Sequence, residues 1–285
     1  MKRILAVMFA VVLALSAVGC AEKKTSGTEG DTSGGAMTKL EKIQNDKKLV
    51  VYTDPNFSPF EFHANGTEVV GVDIEIAKAI AAELGVEIDI KEADFDAIIM
   101  AIASGKGDIA ISGFTITEDR KKEVDFSSPY INSVQYIIVP SDSTIAVVED
   151  LAGKKVGVAK GYTGQFLMED EISKDEETGK EGVLYNKNTT VTDYRSANEA
   201  TLALKSGKIN AVVMDEFVAK KIVDNNSGLK AVELKYQDGG TSAEEYGVVV
   251  PKGNQELLEK INAVIDTLKS EGKIEGWVVQ FSEME

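Results

Sequence analysis

Ser112 to Arg120 reads S-G-F-T-I-T-E-D-R and places a guanidinium about three residues into a short helix. Thr117 suits the N-cap, and Glu118 and Asp119 suit the first turn, where the positive end of the helix dipole favours acids. A cation at Arg120 is on the wrong side of that dipole. It makes sense if a carboxylate docks at the helix end and takes the guanidinium in a two-point grip. The alternative is a solvated arginine paired with Asp119 or Glu123. A second group stands at Asp215, which ends the apolar run Ala211 to Met214. A carboxylate there is costly without a partner, and an ammonium would serve. Asp215 as N-cap of the helix that follows is the competing reading. Asp54 is a third acid, suited to a polar or cationic ligand tail, with Phe57 and Phe95 as apolar walls or as core residues.

These residues fall where α/β chains put their ligands. Lys48 to Tyr52, Ile109 to Ile111, Lys155 to Ala159 and Ala211 to Met214 read as strands. Their carboxyl ends carry Asp54, then Ser112, Gly113 and Thr115, then Gly161 and Thr163, then Asp215. In open α/β sheets the ligand sits outside those ends. Helices are expected over Asp73 to Leu84 with Asp73 as N-cap, Phe95 to Ala103, Asn198 to Lys205, Phe217 to Val223, Gln255 to Ser270 and about Ile274 to Phe281. Ser133 to Val139, Lys230 to Leu234 and Tyr246 to Val250 read as further strands, and Val183 to Tyr185 as a short one. His63 falls in a hairpin turn with Asn65 and Gly66. As the only histidine it argues against a metal centre or a catalytic triad. A-I-A-S-G-K at 101–106 and A-L-K-S-G-K at 203–208 each stop a helix before a buried strand. The chain therefore reads as two α/β units of similar plan whose strand ends face one cleft.

Composition narrows the class. The 285 residues are 43% hydrophobic and 27% charged, with a formal net charge of −16. No basic stripe is present to meet phosphates, which argues against nucleic acid and an anionic membrane surface as docking partners. Lys2-Arg3, the apolar run Ile4 to Val18 and then Cys20, the only cysteine, read as an export signal over 1–19 followed by a lipidated cysteine. No internal disulfide is possible. Residues 20–38 are rich in Gly, Ser, Thr, Lys and Glu and read as a flexible tether.

Four motifs together carry a resemblance: T-D-P-N-F-S-P-F-E-F at 53–62, V-G-V-D-I-E-I-A-K-A-I at 70–80, S-G-F-T-I-T-E-D-R-K-K-E-V-D-F-S-S-P-Y at 112–130 and V-V-M-D at 212–215. Over about Asp46 to Phe281 the chain resembles the extracellular solute-binding proteins of polar amino-acid ABC transporters, the family of glutamine-, histidine- and arginine-binding proteins. The resemblance implies an α/β, two-lobed periplasmic-binding-protein-like fold of type II. Each lobe would be a mixed sheet flanked by helices, joined by two hinge strands near Ser133 to Ile138 and Glu245 to Val248. Lobe 1 would take 39–133 plus 246–285, and lobe 2 would take 134–245. It implies that Arg120 grips an α-carboxylate with the backbone at Thr115 and Thr163. Asp215, the Thr115 hydroxyl and the Gly113 carbonyl would receive the α-ammonium. Asp54 would reach the ligand side chain, flanked by Phe57 and Phe95. Ala159 stands where the family often has Gln or Lys, which leaves the side-chain specificity open.

The function this implies is capture of a polar or basic L-amino acid by hinge closure and delivery to a cognate ABC permease. The protein would act as a monomer, without metal or cofactor, lipid-anchored outside the cytoplasmic membrane. Two alternatives stand beside it. One is an enzyme on the same fold, similar to cyclohexadienyl dehydratases, which would need a positioned general acid. The other is a ligand-sensing module without a transport role.

Overall fold

A computed structural model describes residues 37–284. The signal over 1–19, Cys20 and nearly all of the 20–38 tether lie outside the described residues. The alternating run Lys48–Thr53 makes strand β1, entered from helix α1 (Lys39–Asp46). Short strands β2 (Asn56–Phe57), β3 (Glu61–Ala64) and β4 (Glu68–Val70) follow, then α2 (Val72–Leu84), β5 (Glu87–Glu92), α3 (Phe95–Ala103), β6 (Ile109–Ala110), α4 (Glu118–Glu123) and β7 (Val124–Phe126). The long strand β8 (Ile131–Pro140) leads into β9 (Lys155–Ala159), α5 (Thr163–Ile172), β10 (Thr190–Tyr194), α6 (Ala197–Lys205), β11 (Ala211–Asp215), α7 (Glu216–Asp224), β12 (Leu229–Glu233) and β13 (Ala243–Tyr246). β14 (Val249–Pro251), α8 (Gln255–Ser270) and α9 (Lys273–Ser282) close the chain.

The strands form two mixed sheets. The first has the order β5-β1-β6-β14-β7, with β5, β1 and β6 parallel and β14 antiparallel to both of its neighbours. The second has the order β10-β9-β11-β8-β12, with β13 also paired to β8. β10, β9 and β11 are parallel there, and β8 runs against β11, β12 and β13. β2, β3 and β4 make a small antiparallel sheet at the side. The chain passes between the large sheets twice, at 127–130 and at 247–248; the first crossing precedes the expected Ser133 to Ile138 stretch, which lies inside β8. The crossings are stitched together: Tyr130 N–H donates to Tyr246 O at 2.9 Å, Ser127 N–H to Val248 O at 2.9 Å, and Val248 N–H to Ser127 Oγ at 2.9 Å.

The buried faces follow the period of each element. Ile76, Ala77, Ile80, Ala81 and Leu84 of α2 pack on the first sheet beside Leu49 and Val51. Ile137, Val139, Val156, Val158, Ala211 and Val213 fill one face of the second. The two S-G-K stops have the same geometry. Gly105 and Gly207 have φ 77° and 71°, and Lys106 and Lys208 N–H groups reach back to Ala101 and Ala203 carbonyls at 3.0 Å. This is the left-handed helix ending that glycine allows without strain.

Several local expectations are corrected. Gly71, not Asp73, sits at the N-cap of α2, with φ 133°. A Cβ there would lie 2.0 Å from the Phe60 carbonyl oxygen, so the chain needs glycine and Asp73 moves into the helix and the core. The 123–130 passage, read as turns, holds β7. Tyr246 to Val250 is two strands, because the chain changes sheets at Gly247. Val183 to Tyr185 is turn, not strand. His63 lies in β3, exposed beside Glu92 at 3.2 Å, while Asn65 and Gly66 with φ 50° and 79° make the turn.

Candidate functional site

Arg120 does not pair along its own helix. Asp119 is held by Lys122 at 2.6 Å. The Arg120 guanidinium turns inward, where Nη1 donates to the Thr115 carbonyl at 2.7 Å and Nη2 to the Gly161 carbonyl at 3.0 Å. Thr115 follows β6 in the first sheet and Gly161 follows β9 in the second, so one side chain joins both. The guanidinium carbon lies 5.4 Å from the centroids of the Phe95 and Phe114 rings. Burial lowers its pKa, opposed by the charges of Asp215 and Glu244. A guanidinium stays protonated in such a site, and its remaining N–H groups suit a carboxylate. The Thr117 hydroxyl accepts from the Arg120 N–H at 3.2 Å, as an N-cap should.

The loop from Ser112 to Thr115 is fixed from below. Ser112 Oγ donates to Glu61 Oε1 at 2.6 Å and accepts the Asp54 N–H at 3.0 Å. Ser112 is buried and its hydroxyl serves the strand ends themselves. The Gly113 N–H donates to Asp73 Oδ2 at 2.7 Å, and the Tyr130 hydroxyl donates to the same oxygen at 3.0 Å. Gly113 has φ 55°, and a Cβ would lie 2.3 Å from a Phe57 ring atom, so glycine is required twice over. The Thr115 and Thr163 hydroxyls approach to 3.4 Å across the two sheets.

Asp215 is buried at the end of β11. It occupies the N-cap position of α7, but its Oδ1 accepts from Gln135 Nε2 and from the Tyr246 hydroxyl, each at 2.9 Å. Burial, and then the charge of Glu244, push its pKa well above the usual carboxylate range. Asp54 is buried too. Its pKa is raised by burial, against Asn56, whose Nδ2 donates to Oδ1 at 2.5 Å, and the Phe95 N–H.

The aromatic residues belong to the core and to the crevice at once. Phe57 and Phe95 are both buried, and between them stands Tyr162, from the turn that opens α5. Its ring centroid is 4.0 Å from Phe95 at 27° and 5.6 Å from Phe57. Phe114 extends the stack at 4.5 Å from Phe95. Burial, then the charges of Asp54, Glu61 and Asp215, drive the Tyr162 hydroxyl pKa up, with Arg120 opposing. A cavity of about 520 Å³ opens on the Arg120 side, lined by Phe95, Phe114, Arg120, Gly161 and Thr163. Arg120, Gly161 and Thr163 are thus brought together at the cavity, with Thr115 against Arg120 and Thr163. Asp215, Asp54 and Phe57 are buried and do not line this cavity. Lys160–Asp96 and Arg195–Asp94, each 2.8 Å, link the sheets at the rim.

Sequence reading passed over five of these groups. Gln135 is an amide inside the apolar run Val134 to Val139, and Glu61 the one charge between Phe60 and Phe62. Both signals were visible. Glu244 and Tyr246 sit in a strand whose sequence gives no sign of the face they share. Asp73 carries the signature of an ordinary helix start. Among the described residues no group of three or more His, Cys, Asp or Glu has the arrangement of a metal site, and no helix is long and apolar enough to cross a membrane.

Comparison with known proteins gives the arrangement a context. Residues 49–282 match the family model of bacterial extracellular solute-binding proteins, family 3. The chain is 32% identical over 231 residues to the arginine-binding extracellular protein ArtP of Bacillus subtilis, covering 80% of this chain and 84% of that one. It is 33% identical over 274 residues to a probable histidine-binding protein of Campylobacter jejuni, covering 95% of each. Among solved structures, the amino acid ABC transporter substrate-binding protein AbpA of Streptococcus pneumoniae, bound to L-arginine, superposes with a TM-score of 0.76 at 34% identity. That match covers 86% of this chain and 98% of that one.

Proposed function

The chain belongs to the bacterial extracellular solute-binding proteins of family 3, and from that premise we propose that it captures a polar or basic L-amino acid between its two sheets for an ABC importer. The observation that carries this is Arg120, half-buried and joining the Thr115 and Gly161 carbonyls, with buried Asp215 at a matching strand end. A cation receptor and an anion receptor in one crevice describe a zwitterion. Arg120 takes the α-carboxylate with the backbone at Thr115 and Thr163. Asp215, the Thr115 hydroxyl and the Gly113 carbonyl take the α-ammonium. Asp54 faces the side chain between Phe57 and Phe95. Ser112 and Gly161 hold the two loops that carry these contacts.

Lobe 1 in this reading is 39–133 with 246–285, and lobe 2 is 134–245. The crossings at 127–130 and 247–248 are the hinge. Closure over the amino acid is the signal read by the permease, and the protein acts as a monomer without catalysis. Residues 1–19 direct export, Cys20 carries the lipid, and the tether to residue 38 gives the receptor reach from the membrane face.

Calorimetric titration with each of the twenty amino acids tests the function. Tight binding of one or a few, arginine, lysine, glutamine or histidine among them, is expected; no binding of any would sink the reading. Arg120→Ala and Asp215→Ala are each expected to weaken that binding by about 100-fold or more, because each leaves a charged ligand group unpaired in a dry site. Circular dichroism of both variants should still show a cooperative melt. Loss of the fold would instead mean that these residues hold the structure.

A further inference from the structure

Asp215, Gln135 and Glu244 share one face of the second sheet, as the register requires. Gln135 on β8 is opposite Asp215 on β11. Glu244 on β13 is opposite Ser133, two residues along β8 from Gln135. Side chains alternate along a strand, so 133 and 135 point the same way. Two carboxylates therefore converge from flanking strands on one central amide. Gln135 Nε2 lies 2.9 Å from Asp215 Oδ1, 3.1 and 3.0 Å from the two Glu244 oxygens, and 3.4 Å from Thr163 Oγ1. An amide nitrogen carries two hydrogens, so these four oxygens compete for two donors. Gln135 is fully buried, and its Oε1 has no partner among the described residues. The cluster is rich in acceptors and short of donors. A neutral amide does not cancel two negative charges, and carboxylates this close in a buried site do not both ionise.

We propose that Glu244 is a second receptor for the ligand's α-ammonium beside Asp215, and that Asp215 carries a proton in the ligand-free protein, which the ammonium displaces. The inference rests on the amino-acid reading above. An ammonium has three donors and no acceptor, which is what the cluster lacks. One positive charge replaces another, and the proton leaves to the solvent. Burial and the neighbouring Glu244 charge raise the Asp215 pKa well above its ordinary value, in line with the exchange. The other titratable groups facing the pair are Tyr246, Arg120 and Tyr162. The guanidinium stays charged, and burial holds both phenols well above their ordinary values, so none of the three exchanges a proton near neutrality. Asp215, Gln135 and Glu244 all lie on strands of one sheet, so the pair survives opening of the crevice.

Titration of the full-length protein with L-arginine, in phosphate and in Tris buffer, counts protons from the difference in enthalpy. Below the raised pKa of Asp215 the wild type is expected to release about one proton per ligand, with affinity rising about tenfold per pH unit. Glu244→Gln is expected to lose most of that release and to bind about tenfold or more weakly. A wild-type enthalpy independent of buffer, with affinity flat in pH, overturns the proposal without any variant being needed. A Glu244→Gln protein that releases as many protons as the wild type overturns it as well. Binding without proton release leaves the amino-acid reading intact and defeats only this exchange. Absence of binding by all twenty amino acids defeats both.

Discussion

Arg120 is a two-sided residue: in the proposed function its charge faces a ligand anion, while its N–H groups hold carbonyls from both sheets. Charge alone does not do this. Arg120→Lys keeps the cation but offers a single point in place of a planar fork. Amino-acid affinity measured by calorimetry is expected to fall by about 10-fold to 100-fold. Beneath the loop that Arg120 crosses, Glu61 Oε2 and Asp73 Oδ1 are buried with no donor among the described residues. One proton held between the two carboxyls satisfies both atoms. Asp73 is raised from 3.8 to about 6, chiefly by burial, against the Gly113 N–H and the Tyr130 hydroxyl, while Glu61 is pushed well above its ordinary value by burial and by Asp73. A raised carboxyl binds its proton more tightly in the folded chain. Its stabilising contribution is present below the unfolded pKa of 3.8 and is lost as pH rises through about 6. The melting temperature of the wild type relative to Asp73→Asn should therefore fall by several degrees between pH ~4 and ~7. A difference flat in pH would remove the shared proton. Arg120, Asp215 and the strand-end threonines were legible because charge at the end of an apolar run is a strong local signal. Asp73 and Glu244 were not, because what makes them unusual is burial against residues far away in the chain.

Among the elements, the turn between β9 and α5 does the most. It delivers the Gly161 carbonyl to Arg120 and inserts the Tyr162 ring between Phe57 and Phe95. In the proposed function that slot takes the ligand side chain, so a long side chain must move the Tyr162 ring. Tyr162→Ala is expected to tighten binding of L-arginine by about tenfold, because the closed slot no longer has a competing occupant. Weaker binding would instead make the ring a wall that contacts ligand. Gly113 shows a different constraint. Gly113→Ala should cost about 2 kcal/mol or more in denaturant unfolding, from both the left-handed backbone and the Phe57 ring in its way. Element type was read well from the sequence where period was strong, as in α3, α6, β9 and β11. It failed where a short stretch serves two sheets: β7 was hidden in Ser- and Pro-rich sequence, and β13 and β14 looked like one strand because neither Gly247 nor Val248 announces a change of partner.

At the scale of the molecule, two sheets meet through an aromatic and polar seam, with the ion pairs Lys160–Asp96 and Arg195–Asp94 at its exposed rim. Lys160–Asp96 and Arg195–Asp94 are solvent-facing, so screening should leave little of them. Arg195→Ala is expected to change unfolding free energy by less than about 0.5 kcal/mol. A larger loss would mean that rim charge, not the seam, holds the sheets together. The two-unit plan was legible from the matched S-G-K stops and strand ends. The way the units join was not legible from the residues themselves, only through the resemblance, since it depends on two crossings separated by more than a hundred residues.

Those crossings have a consequence for biosynthesis. β14 sits between β6 and β7 in the first sheet, yet it is made after the whole of the second sheet. As the chain leaves the ribosome, the first sheet keeps a missing rung until residues 249–251 emerge, and α8 and α9 come later still. Pairing across that span is non-local and slow. For an exported protein the delay is useful, because a domain whose keystone arrives last stays threadable while it is being moved across a membrane. On this topology the first sheet, and with it the seating of Arg120, is expected to be completed only after β14 has emerged.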